Sequence, residues 1–228
     1  MIEFIFMLTH NDVTVDDARE VLAQLRDTGL RYVGFKDIGA SPEVLADVTA
    51  SAHERGMEVM LEVVSTSVED EMRSLAAALE IGVDWVLGGT NPERGAEILA
   101  AGDVRYCPFP GIIEGHPSVL KGDVEMIAQH AAELTARDGI YGVDLLAYRH
   151  ESADPVALTR AVVDAADGPV IAAGSVASLG QIADLERAGA WGFTIGGAIF
   201  EHRLPGGPTI AGQVAATLEA TGGAGLRA

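Results

Sequence analysis

The segment from Pro169 to Glu201, PVIAAGSVASLGQIADLERAGAWGFTIGGAIFE, constrains the fold more than any other part of the chain. Two short apolar runs, 169–173 and 191–195, flank a stretch with helical spacing that begins at Ser178 and ends at Gly189. Apolar runs of this length predict strands buried on both faces, and a serine followed later by glycine is typical of helix ends. The segment therefore predicts strand, helix and strand in succession.

A glycine-bearing turn follows each of these two strands. Gly174-Ser175 follows the first, and Gly196-Gly197 follows the second and opens a predicted single helical turn. Glycine lets backbone N–H groups approach a ligand closely, and a helix N-terminus favours negative charge. In a (β/α)8 barrel, the loops after strands 7 and 8 with a short extra helix form the usual phosphate site. We therefore predict phosphate binding at these four residues, with simple tight turns as the alternative.

Strand and helix patterns alternate along the whole chain, without a linker. Predicted strands cover 2–8, 32–37, 58–64, 84–87, 105–108, 142–147, 169–173 and 191–195, and glycine ends most of the intervening helices. Such alternation indicates a parallel sheet. Eight units within 228 residues favour one α/β domain over 1–228, a (β/α)8 TIM barrel, over an open doubly wound sheet.

The two glycine turns also carry a resemblance to a known superfamily. AAGSV followed by FTIGGAIFE resembles the last two strands of the ribulose-phosphate-binding barrels, which include the histidine-pathway isomerases, N-acetylmannosamine-6-phosphate epimerase and thiazole synthase. These barrels usually have Gly-Gly where this chain has Gly174-Ser175, and a serine hydroxyl can still donate to phosphate. The resemblance implies a phosphorylated small-molecule substrate and assigns no single member family.

Charge and composition limit the classes of molecule that this chain can be expected to bind. The formal net charge of −19 argues against nucleic acid and anionic membranes. The single cysteine, Cys107, excludes an internal disulfide, and the N-terminus has neither the basic lead of a signal peptide nor an apolar run that could span a membrane. A cytoplasmic location is expected. Lysine occurs only at Lys36 and Lys121, so each is a candidate for binding an anion.

Strand alternation places three ionisable residues inside the barrel near its catalytic end. With Val33 and Phe35 facing the helices, Lys36 points inward, and the same reasoning applies to Glu62 and Asp144. Lys36 and Glu62 lie on neighbouring strands, and Asp144 is expected across the pocket. We predict that the three form an acid–base site, with a buried ion pair between strands 2 and 3 as the alternative.

Further candidates for substrate binding follow other strands. They are Thr9, His10, Thr90, His116, Lys121 and Arg149. The long loop 109–122, which contains His116 and Lys121, is predicted to be a lid, with a surface loop or oligomer contact as alternatives. His10 and Asp12 are a possible metal pair without further ligand spacing, so we expect no metal and no cofactor. A homo-oligomer remains possible.

Three functions fit these residues. The first is an isomerase or epimerase that removes a proton next to a carbonyl, with Lys36 stabilising the enolate. The second is an aldolase or lyase in which Lys36 forms a Schiff base, which is harder beside carboxylates. The third is a phosphometabolite-binding protein without chemistry, which inward charges at three strand ends disfavour. The first is the prediction, and the others are alternatives.

Overall fold

The computed structural model describes residues 1–222, so the last six residues of the predicted domain, 223–228, lie outside the described part. Eight parallel strands form one sheet. They are β1 (Glu3–Met7), β2 (Tyr32–Lys36), β3 (Glu58–Val63), β4 (Trp85–Gly88), β5 (Arg105–Cys107), β6 (Val143–Leu145), β7 (Val170–Ala172) and β8 (Gly192–Ile195). The hydrogen-bonded order runs from β6 through β7, β8 and β1 to β5. Nearly all residues in these strands are buried, as the apolar runs predicted.

The edges of the sheet meet between β5 and β6. Tyr141 N donates to Tyr106 O at 2.8 Å, and Asp144 N donates to Pro108 O at 3.0 Å. These two hydrogen bonds join the last pair of neighbouring strands, so the sheet curls into a barrel. The predicted (β/α)8 fold is confirmed over the open doubly wound alternative.

Helices connect the strands and cover the outside of the barrel. They are α1 (Ala18–Gln24), α2 (Pro42–His53), α3 (Val68–Ile81), α4 (Pro92–Leu99), α5 (Val124–Thr135), α6 (Pro155–Ala165), α7 (Leu179–Ala188), α8 (Gly197–Phe200) and α9 (Ile210–Ala220). Ser178 accepts a hydrogen bond from Gln181 N at the start of α7, and Gly189 ends it in the left-handed region at φ 92°. Both ends of this helix match the sequence prediction.

Side chains inside the barrel are apolar in its middle and polar at the carboxyl-terminal ends of the strands. An apolar layer that includes Ile5, Met60, Trp85 and Ile171 fills the interior, and outward residues pack beneath the helices. Trp85 and Trp191 stack with ring centroids 5.1 Å apart. In barrels of this kind the active site lies at the carboxyl-terminal ends of the strands, beyond this apolar layer.

The loop after β5, which was predicted to be a lid, contains a regular element. Ile112–Glu114 pairs antiparallel with Val119–Lys121 and forms a β-hairpin. A second small hairpin, Thr9–His10 with Val13–Thr14, follows β1 and precedes α1. Both hairpins lie at the carboxyl-terminal end of the strands. In the described part of the chain, no helix combines the length and apolarity needed to cross a membrane.

Candidate functional site

A polar cavity of about 290 Å³ opens at the carboxyl-terminal ends of β1, β2, β3, β7 and β8. Cations, carboxylates and backbone of the two glycine turns line it together: Thr9, Asp12, Lys36, Glu62, Arg149, Gly174, Ser175, Gly196, Gly197, Glu201 and Arg203 are among the lining residues. The cavity therefore combines two of the three predicted acid–base residues with all four predicted phosphate-binding residues.

Lys36 is held by the hairpin that follows β1. The Thr14 hydroxyl donates to Lys36 O and accepts from Lys36 N, both at 2.9 Å. The Lys36 ammonium, only 4% exposed, donates to Asp12 Oδ1 at 2.7 Å. The backbone of Lys36 is therefore fixed by one residue of the hairpin and its charge by another.

Asp12 joins two cations that come from distant parts of the chain. Its Oδ1 also accepts from Arg149 Nη2 at 2.7 Å. Burial by itself raises the pKa of the Asp12 carboxyl, but the hydrogen bonds and charges of Lys36 and Arg149 outweigh burial and hold this pKa below its usual range. Asp12 is thus ionised at neutral pH and positions both cations at the cavity.

Glu62 lies beside Lys36, as strand register predicted. The two residues are paired across β2 and β3, and Glu62 Oε2 is 3.8 Å from Lys36 Nζ. Glu62 is 5% exposed and lines the cavity. The Glu62 carboxylate is thus close enough to interact electrostatically with the Lys36 ammonium, while Asp12 makes the shorter contact with that ammonium.

Asp144 lies deeper than the other two predicted acid–base residues. Its side chain has no exposed surface, and neither carboxyl oxygen has a hydrogen-bond partner among the described residues. Burial raises the pKa of this carboxyl well above its usual range, and the charge of Glu62 raises it further. Asp144 faces the barrel interior but does not line the cavity, and its predicted role stays a prediction.

The glycine turns have the backbone conformations that a close anion contact requires. Gly174 and Ser175 both lie in the left-handed region, at φ 75° and 61°. Gly196 is the N-cap residue of α8, and a Cβ placed on it would lie 2.6 Å from Thr9 O. Gly197 has no such restriction, because its nearest neighbour would be Glu201 Oε1 at 3.8 Å. The turn after β8 therefore needs glycine at its first position for packing and leaves open space at its second.

Four predicted substrate-binding residues lie away from this cavity. His10 stacks on Phe200. Thr90 binds the carboxylate of Glu71. His116 contributes to a groove between α2 and α3, and Lys121 pairs with Glu114 at 2.8 Å and Glu151 at 3.3 Å. Thr9 and Arg149 do line the cavity. The hairpin that was predicted to be a lid thus places neither of its basic residues in the cavity in this conformation.

Asp12, Glu201 and Arg203 also line the cavity but were not among the predicted site residues. Asp12 was considered only as half of a metal pair with His10. Asp12 takes φ 62° within the hairpin after β1, and no sequence pattern indicated this turn. In residues 1–222 no group of three or more His, Cys, Asp or Glu side chains is arranged to hold a metal ion.

Known proteins support the resemblance carried by the glycine turns. No family model matches the chain. A 1-(5-phosphoribosyl)-5-((5-phosphoribosylamino)methylideneamino) imidazole-4-carboxamide isomerase of Methanosarcina barkeri is 24% identical over 210 residues, covering 84% of each chain. Orotidine 5'-phosphate decarboxylase of Pyrococcus horikoshii has TM-score 0.65 at 15% identity, covering 95% of this chain and 98% of that one.

The fold is also similar to that of a second barrel enzyme of known structure. Phosphoribosylanthranilate isomerase of Thermotoga maritima has TM-score 0.63 at 15% identity, covering 97% of this chain and 100% of that one. The structural similarities concern the barrel fold, and the sequence similarity is to the histidine-pathway isomerases. The predicted resemblance to the ribulose-phosphate-binding (β/α)8 barrels is confirmed by the isomerase relatives, and no single member family is assigned.

Proposed function

We propose that this chain is a metal-independent isomerase or epimerase that acts on a small phosphorylated sugar or similar metabolite. The observation that carries the proposal is the shared cavity, in which Lys36, Glu62 and Arg149 lie together with the two glycine turns. A cavity that combines backbone N–H groups suited to phosphate with an ammonium beside a carboxylate suits proton transfer next to a carbonyl. The isomerase relatives support the same class of reaction.

In this proposal the phosphate group binds at the backbone N–H groups of the turns after β7 and β8. Arg149 adds charge beside Gly174, since a Cβ on that glycine would lie 2.8 Å from Arg149 Cδ. The opposite end of the substrate then reaches Lys36. Its ammonium stabilises the negative charge that develops on the carbonyl oxygen as the neighbouring carbon loses its proton.

Two carboxyl groups are available to move the proton. Glu62 lines the cavity and is the preferred base. Asp144 is buried and does not line the cavity. Its raised pKa favours the protonated form, so we assign it the return of a proton, a role that requires the bound substrate to open a path to this carboxyl. Glu62 as base and Asp144 as acid is therefore the assignment, with the reverse roles as the alternative.

The two other functions fit less well. A Schiff base requires a neutral lysine, and the contact with Asp12 favours the ammonium form of Lys36. A protein that only binds phosphometabolites would not need a buried carboxyl group beside a buried ion pair, because such groups cost stability. A homo-oligomer and a cytoplasmic location stay predictions.

The proposal is tested by thermal denaturation with ribose 5-phosphate and with ribose at matched ionic strength. A ligand that binds the folded state raises the unfolding free energy by about 2.7 kcal/mol at 100 times its Kd. We expect sugar phosphates to raise the melting temperature and unphosphorylated sugars to leave it unchanged. Equal effects of both ligands, or no effect of any phosphorylated sugar tested, would contradict the proposal.

A further inference from the structure

A third glycine turn, after β4, lies at the same end of the barrel, and a side chain of the protein occupies it. The carboxylate of Glu71, only 1% exposed, comes from the first turn of α3. Glu71 Oε1 accepts from the backbone N–H groups of Thr90 and Asn91, both at 2.9 Å. Glu71 Oε2 accepts from Thr90 Oγ1 at 3.1 Å and Asn91 Nδ2 at 2.8 Å. Four donors therefore converge on one internal carboxylate.

These donors belong to a glycine turn that, like the one after β8, leads into a helix N-terminus, although the backbone conformations differ. Gly88 ends β4 at φ 77°, Gly89 follows at φ 81°, and Asn91 is the N-cap residue of α4, whereas Gly196 is the N-cap residue of α8 at φ −123°. A glycine pair that leads into a helix N-terminus is also found at Gly196-Gly197. At α4, however, the anion is part of the chain, and a Cβ on Gly89 would lie 2.9 Å from Glu71 Oε1. The turn after β4 therefore cannot offer these N–H groups to a substrate.

The cavity next to the β4 turn gives independent evidence that this side of the barrel mouth does not suit an anion. It has a volume of about 100 Å³ and is lined by ten residues. The lining residues include Ser65, Thr66, Thr90 and Ser118, and none of the ten is a lysine or arginine. The central cavity, in contrast, is lined by Lys36, Arg149 and Arg203. Of these two cavities, only the central one is therefore lined by lysine or arginine.

We propose that the substrate carries a single phosphate and that its other end is uncharged. The inference rests on the proposed function, because it takes the turns after β7 and β8 as the phosphate site. A second phosphate that reached the β4 side would meet donors already bound to Glu71 and no compensating cation. The Methanosarcina barkeri relative has a name with two phosphoribosyl groups, and we infer that this chain does not share that substrate.

The test compares ribulose 5-phosphate with ribulose 1,5-bisphosphate by isothermal titration at constant ionic strength. We expect the monophosphate to bind at least as tightly as the bisphosphate. Tighter binding of the bisphosphate by about tenfold, or 1.4 kcal/mol, would overturn the inference while leaving phosphate recognition intact. Binding of neither ligand, and of no other sugar phosphate, would instead contradict the proposed function on which the inference depends.

A pair of variants separates the role of Glu71 from the effect of net charge. Glu71→Ala removes the internal carboxylate, and Glu69→Ala removes an equal charge from a side chain that is 88% exposed on the same helix. We expect only Glu71→Ala to increase affinity for the bisphosphate relative to the monophosphate, by about tenfold. An unchanged ratio in folded Glu71→Ala would count against the inference. If Glu71→Ala does not fold, the comparison in the unmodified protein decides.

Discussion

The ammonium of Lys36 lies 2.7 Å from Asp12 Oδ1, so this lysine forms an ion pair within the protein. The contact is almost entirely shielded from solvent on the lysine side, where 5% of the side chain is exposed. A short contact with a carboxylate in such surroundings favours the charged lysine. An ammonium can stabilise an enolate, whereas a Schiff base forms only from the neutral amine.

Borohydride trapping tests this consequence for Lys36. We expect borohydride added with ribulose 5-phosphate to give no mass adduct on Lys36, because its nitrogen is engaged in the ion pair with Asp12. Intact-mass and peptide mass spectrometry provide the measurement. In parallel, Lys36→Arg is expected to keep part of the ligand affinity and lose most turnover, since guanidinium retains the charge in a different shape. A trapped imine on Lys36 would favour the aldolase or lyase alternative.

The phosphate site is best tested at Gly197. A Cβ at Gly196 would lie 2.6 Å from Thr9 O, so a larger residue there would disturb packing as well as binding. Gly197 lines the cavity and has open space around its Cα. We expect Gly197→Val to weaken binding of ribose 5-phosphate about tenfold to a hundredfold, because the valine side chain would fill space beside the turn and keep the phosphate from one or two of its hydrogen bonds.

Gly180→Val is the matched control for Gly197→Val. Gly180 also lies in the first turn of a helix, and its Cβ would meet only Ser178 Oγ at 3.8 Å, but it is exposed and outside the cavity. Titration of both variants with ribose 5-phosphate should show a loss of affinity in Gly197→Val alone. Equal affinities in the two variants would remove the turn after β8 from the phosphate site.

The buried carboxyl of Asp144 predicts an unusual dependence of stability on pH. Burial, with the charge of Glu62, raises the pKa of Asp144 in the folded state. The folded protein therefore keeps a proton that the unfolded chain releases above about pH 3.9. The contribution of Asp144 to stability consequently falls as pH rises from that value towards the folded-state pKa, by about 1.4 kcal/mol for each unit of separation.

Asp144→Asn removes this ionisation and nearly preserves the shape. We expect the variant to melt at a higher temperature than the unmodified protein at about pH 7, with the difference disappearing near pH 4. Calorimetry across this range provides the measurement. Asp103→Asn, the same substitution at an exposed residue, is the control. A less stable Asp144→Asn variant at neutral pH would mean that Asp144 is ionised and stabilised in the folded protein.

Local patterns in the sequence predicted the barrel and the inward side chains. Alternation along β2, β3 and β6 placed Lys36, Glu62 and Asp144 inside, and all three are buried there. This succeeds because a strand has a period of two residues and the apolar neighbours fix its phase. Their chemical roles stay predictions, because burial and direction do not by themselves determine a reaction.

Tertiary contacts supplied what the sequence could not indicate. Asp12 reaches Lys36 only because a hairpin with positive φ at Asn11 and Asp12 folds over β2. Glu71 has the position of an ordinary acidic residue in a first helical turn, and its partners are 19 and 20 residues away. Both contacts depend on which loops meet at the barrel mouth, and no local pattern encodes that meeting.

Solvent deuterium exchange tests the central claim of proton abstraction most directly. The protein is incubated in deuterium oxide with a sugar monophosphate that raises its melting temperature, and proton NMR follows the carbon next to the carbonyl. We predict that deuterium enters this carbon and that Glu62→Gln abolishes exchange; loss in Asp144→Asn alone would reverse the two roles. No deuterium incorporation by the unmodified protein, or exchange unchanged in both variants, would contradict the account.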